Sequence, residues 1–150
     1  MNYDSTSDTL KHIKRVNELM VLGATKILYR GTVHDSSKLL SPEKEGFDEF
    51  TPKLKNSVYG SEEYKQLLVG LDKALQHHYA NNTHHPEYHP QGIDGMDLFD
   101  VLEMFFDWKA ATERHETGDI RKSIDINEKR FSMSPQLARI FRNTVNNLKW

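Results

Sequence analysis

An all-α domain, a single helical bundle of about six or seven helices over residues 1–150, is what this sequence predicts, on three observations. Apolar residues recur at helical spacing through most of the chain. No stretch alternates apolar and polar residues well enough to read as a strand. Helix-start and helix-stop residues punctuate the periodic stretches at workable distances.

Ile13, Val16, Met20, Ala24, Ile27 and Leu28 mark a first helix from about Asp8 to Arg30, which Gly31 and Thr32 are expected to break. VHDSSKLL, residues 33–40, reads as a short second helix. Ser41-Pro42 looks like a helix start, because proline is tolerated in a first turn. From Glu43 to Gly60 the chain is polar and interrupted by Pro52, which suggests a lid or a long connection. A clear helix follows from Ser61 to about Ala80, with Tyr64, Leu67, Leu68, Leu71, Ala74 and Leu75 in its stripe. NNTHHPEYHPQGIDG, with two prolines and two glycines, is a loop. DGMD starts the next helix, with Asp94 as cap and Asp97 in the first turn, running to about Glu116 and stopping at Gly118. Another helix spans roughly Asp119 to Phe131. Ser134-Pro135 caps the last, which carries Leu137, Ile140, Phe141, Val145 and Leu148.

One hundred and fifty residues suit one core and leave no room for a second. No apolar run approaches the roughly 18 residues that a membrane crossing needs. The first residues, MNYDSTSDTLKHIKR, lack the apolar stretch of a secretory signal, so a cytoplasmic setting is expected. Absence of cysteine removes disulfides and thiolate nucleophiles, and leaves nitrogen and oxygen as the ligands for any metal. A net charge of −2 supplies no broad basic field, so general binding to duplex nucleic acid is not expected. A homo-oligomer is compatible with these totals.

The chemistry concentrates in KALQHHYANNTHHPEYHP, where His77, His78, His84, His85 and His89 fall within thirteen positions. Imidazole is the commonest side-chain ligand for transition metals. His78 shares the apolar stripe of its helix with Leu71 and Leu75, whereas His77 points away. His84 and His85 precede Pro86, where helix geometry fails, so both can turn inward. Tyr88 and His89 are expected to face the substrate.

A second string is His34-Asp35-Ser36-Ser37-Lys38, in which adjacent imidazole and carboxylate can reach one cation. His12 lies 22 residues before His34. Further along, Asp100, Glu103 and Asp107 fall at i, i+3 and i+7 on one helix face, with Arg114 seven residues beyond. That helix is apolar over most of its circumference and should be central, and a buried carboxylate needs a cation or strong hydrogen bonds.

His12, then His34-Asp35, then a distant Asp107 resemble the H…HD…D pattern of the HD-domain superfamily, over roughly residues 8 to 110. HDSSK is similar to the frequent HD-x-x-K form, with Lys38 in the lysine position. HHPEYH, EMFFDWKAATERH and INEKRF look like a small HD-related family of phages and bacteria, for which a phage protein would act in the host cytoplasm. HHPEY is similar to the HHE element of the HD-GYP subgroup, but Pro86 displaces Glu87 and the GYP triplet is missing. Cyclic-di-GMP cleavage is therefore not part of the expectation.

The resemblance implies a helical bundle with one or two divalent ions (Mn, Fe, Co, Mg or Zn). His12, His34, Asp35 and Asp107 take the ligand positions, and His78 with His84 or His85 resembles the subgroups that hold a second ion. It implies a phosphohydrolase acting on a small phosphate ester, a nucleotide above all. Lys38 and Arg114 would neutralise phosphate oxygens, and Glu103 would orient water or act as general base. Two alternatives stay open: a di-iron centre that activates dioxygen, and a protein that binds metal or nucleotide without turnover.

Overall fold

The structure is a computed structural model that describes residues 3–57, 61–114 and 117–150. Its described residues form helices, 3₁₀ turns and loops, with no strand among them. The chain divides into two compact units, Met1–His34 and Asp35–Trp150.

The first unit is one helix, α1 (Thr6–Val33), of 28 residues. It runs through Gly31 and Thr32, which were expected to break it. A glycine in a helix costs only about 1 kcal/mol relative to alanine, too little to halt a helix already seven turns long. Thr32 also donates its hydroxyl to the Tyr29 carbonyl at 2.7 Å, which keeps it within the helical path. The helix ends at Val33 because His34 turns extended, with ψ 131°.

The second unit begins with Asp35 in the left-handed region, φ 55°. The short helix expected over residues 33–40 is only a single 3₁₀ turn, Ser36–Leu39. After it comes α2 (Glu43–Asn56), where a lid or connection was expected. Pro52 lies inside this helix and Pro42 caps it from outside the first turn. Residues 58–60, the end of the expected connection, lie outside the described set.

Helix α2 pairs with α3 (Glu62–Asn81), whose Ser61 cap accepts from the Tyr64 amide. Two glycines allow the approach. A Cβ on Gly46 would stand 2.7 Å from Ala74 Cβ, and one on Gly70 would stand 2.3 Å from the Phe50 ring. A connecting segment with two 3₁₀ turns, Pro86–Tyr88 and Gly92–Gly95, then leads to α4 (Leu98–Thr112). Asp94 sits inside the second turn, so the cap is Asp97, which forms a reciprocal capping box with Asp100. The expected end of this helix at Glu116 falls on residues 115–116, outside the described set.

The last two helices match their stop and start signals. Asp119 caps α5 (Ile120–Arg130) and Ser134 caps α6 (Pro135–Leu148). Their apolar stripes meet that of α4 in one core of Met104, Phe105, Ile120, Ile124, Met133, Ala138, Phe141 and Val145. Phe105 stacks on Phe141 with ring centroids 4.8 Å apart. Burial of a side chain of that size is worth roughly 1.5–3 kcal/mol. At the rim, Arg142 of α6 binds Asp125 at 2.7 Å and Glu128 at 2.5 Å on α5.

Candidate metal centre

Within the second unit, polar groups are buried where α2, α3 and the connecting segment come together. Glu43 is 0% exposed, His78 1% and His84 2%. Each is placed by a different element: Glu43 opens α2, His78 lies in the last turn of α3, and His84 and His85 follow Asn82, the C-cap of α3. Asp35, with its backbone in the left-handed region, opens the 3₁₀ turn Ser36–Leu39 and joins them.

One ligand atom each from Asp35, His78, His84 and His85 lie within 4.8 Å of one another. His78 Nε2 is 2.9 Å from His85 Nε2 and 3.2 Å from Asp35 Oδ1, and His84 Nε2 is 3.4 Å from the same oxygen. Ligands bonded to an ion at roughly 2.1 Å stand about 3.0 Å apart at right angles and about 3.4 Å apart in a tetrahedron. The spacing of these donors fits a metal ion.

The other face of each buried imidazole is held by a carboxylate. His78 Nδ1–H donates to Glu43 Oε2 at 2.8 Å, and His84 Nδ1 stands 3.1 Å from Glu103 Oε1. An ionised carboxylate only accepts hydrogen bonds, so each pairing keeps a proton on Nδ1 and leaves Nε2 as the nitrogen that would face an ion. Glu43 is shared: Oε2 also accepts from the Ser37 hydroxyl at 2.9 Å, and Oε1 accepts from His77 Nδ1 at 2.7 Å. Asn82 completes the shell, donating to Ser37 Oγ at 2.9 Å and to the His78 carbonyl at 2.8 Å.

Burial alone would raise the Asp35 pKa. Hydrogen bonds from His78, His84 and Lys38, with the charge of Lys38, outweigh it and hold the carboxyl well below the usual range. Glu43 is likewise held down against its burial by His77, Ser37 and His78. His85 is pushed down to about 3, first by burial and then by the charges of His84 and His78. Neutral imidazole and ionised carboxylate are the metal-binding forms of these groups.

The residues expected from sequence are distributed as follows. Asp35, His78, His84 and His85 are together, and a carboxylate oxygen of Asp107 lies within 4.8 Å of a ring nitrogen of His84. Both His84 and His85 turn inward, where the resemblance implied a ligand from one of the two. Glu103, expected to orient water or act as general base, stands with Oε1 3.1 Å from His84 Nδ1. Lys38, expected to meet a phosphate, instead holds the second oxygen of Asp35 at 2.5 Å, because one 3₁₀ turn stacks residue 38 over residue 35. His89 was expected to face substrate, yet its Nε2 donates to the Thr83 carbonyl at 2.8 Å and the ring is largely buried, so it closes the connecting segment. Tyr88 beside it is exposed. Arg114 is exposed in the turn after α4. In the first unit, His12 is exposed on α1 and His34 is its half-buried C-cap.

Sequence reasoning missed Glu43, His77 and Ser37 as parts of the site. Glu43 lies 34 and 35 residues before its two histidines, and an acidic residue opening a helix reads as an ordinary partner of the helix dipole. Asp100 also belongs to the scaffold: its Oδ1 accepts from Thr83 Oγ1 at 2.5 Å, tying the histidine-bearing segment to α4. Arg130 of α5 holds Glu87 of the same segment at 2.8 Å.

No curated protein and no solved structure matches this chain. A family does: with residues 1–147 matched, nearly the whole sequence that builds this centre, the chain belongs to the family of unknown function DUF5662.

Proposed function

We propose that the chain is a metal-dependent phosphohydrolase of the HD type, acting on a nucleotide or a related phosphate ester, with Asp35, His78, His84 and His85 holding a divalent ion. The observation that carries the reading is the gathering of three imidazole nitrogens and one carboxylate oxygen within 4.8 Å of one another. A donor set rich in imidazole favours Mn, Fe, Co or Zn over Mg, which prefers oxygen ligands and retained water. Bound there, a divalent ion supplies Lewis acidity, lowering the pKa of water from about 15.7 towards about 7.

The protein's own groups prepare that chemistry. Glu43 and Glu103 orient two of the imidazoles, and Lys38 fixes Asp35 so that Oδ1 faces them. Since Lys38 is turned to Asp35, Arg114 is the cation this reading assigns to phosphate oxygens. It stands seven residues past Asp107, exposed in the turn after α4.

Elemental analysis of the purified protein, followed by phosphate-release assays over a nucleotide panel with Mn, Co and Mg, tests the proposal. At least one transition ion per chain and chelator-sensitive phosphate release are expected. A protein that takes up no ion, or one that consumes oxygen and releases no phosphate, overturns it.

A further inference from the structure

Glu43 is the most enclosed charged residue described, and its two oxygens divide between two histidines that follow one another on α3. Consecutive residues on a helix point about 100° apart, so a single carboxylate can serve both only from a fixed place between them. The backbone provides that place. Gly46, one turn beyond Glu43 on α2, lets the helix settle against Ala74 and Leu71, one and two turns before His78 on α3. Ser37, three residues after Asp35, donates to the same Oε2 that holds His78. The carboxylate therefore links the strand of chain carrying Asp35 to the helix carrying His78.

We infer that Glu43 is the positioning residue of the centre. By accepting the Nδ1 proton of His78 it fixes the tautomer and the ring angle that aim Nε2 at the ion, and His77 holds the carboxylate from its solvent side. The inference rests on the metal-centre reading. A partner of this type is worth about 10- to 100-fold in metal affinity, whereas a carboxylate that served only the fold would leave the affinity of folded protein unchanged.

Co(II) titration of metal-free protein, read by the visible absorption of the bound ion and by competition with a chelator, separates these roles. Glu43→Ala is expected to weaken Co(II) binding about 10- to 100-fold and to alter the absorption bands. Glu43→Gln is expected to restore binding to within several-fold of the native protein. Its carbonyl oxygen can still accept from His78 and Ser37, while its amide faces His77, which is accessible enough to change tautomer. If Glu43→Ala does not fold, Glu43→Asp serves instead: it retains the charge and suits a helix start, but is one methylene short of His78, and should show the same loss. Native affinity and bands in the alanine variant, or in the aspartate variant where alanine does not fold, overturn the inference while leaving the metal reading intact. Native protein that takes up no Co(II) removes both.

Discussion

Helices α4, α5 and α6 close around Met104, Phe105, Ile124, Phe141 and Val145, whereas α2, α3 and the turn before them close around Glu43, His78 and His84. Both regions exclude water, but by opposite physical routes. The first gains from removing apolar surface, at roughly 25 cal/mol for each Å². The second must offset the desolvation of ionised groups, and does so with paired hydrogen bonds at 2.7 to 2.9 Å around one carboxylate. A buried polar set of that kind contributes little net stability compared with a hydrophobic filling of equal volume. Stability and metal chemistry are therefore carried by different helices, and substitutions should separate them.

The widest separation is expected at Asp35. Asp35→Asn keeps a side chain that tolerates the left-handed backbone but removes the anionic ligand. Metal content measured by elemental analysis should fall from stoichiometric to background, with phosphate release lost, while the chelated protein still folds at a melting temperature lowered by the lost pairing with Lys38. The converse variant is Phe105→Ala, which should cost about 3–5 kcal/mol in denaturant unfolding. Its folded fraction should bind Co(II) as the native protein does, and weakened binding there would break the division between the regions.

A finer cut lies between neighbours. His78→Ala removes a ligand, while His77→Ala removes only an outer hydrogen bond to Glu43 from a half-exposed ring. Metal affinity should drop by well over tenfold in the first and by a few-fold at most in the second. The reverse order would show that His77, and not His78, is the ligand and that the register of α3 is wrong. The smallest expected effect is on acid stability. His85 ordinarily titrates near 6.5 but is lowered to about 3 in the folded chain. Between those values the unfolded chain binds the extra proton, so stability falls as pH drops from above 6.5 towards 3. Chelated protein should melt at a lower temperature at pH 5 than at pH 7.5, and His85→Ala should flatten that slope.

The same contrast explains what could be read from sequence. The apolar region was legible because its rules are local: Ser134 and Asp119 announce helix starts, and Phe141, Val145 and Ile124 fall at helical spacing. The histidines that gather at the centre were legible from their density, and the inward face of His78 from its register with Leu71 and Leu75. Glu43 was not, because its meaning comes from contacts 34 and 35 residues away. Pro52 misdirected the reading of α2, since pairing with α3 sustains a helix that propensity alone argues against. Lys38 was assigned by analogy to an outward role, and only the 3₁₀ geometry of its turn shows that it folds back on Asp35.

The positive φ at Asp35 restricts which amino acids position 35 can carry, apart from any question of charge. A glutamate there would present the same anionic group on a longer arm, but its backbone would sit about 1–2 kcal/mol uphill in a region that aspartate, asparagine and glycine enter more readily. Of those three, aspartate alone is also an anion. Chain geometry and coordination chemistry thus narrow the choice at this one place to a single residue type.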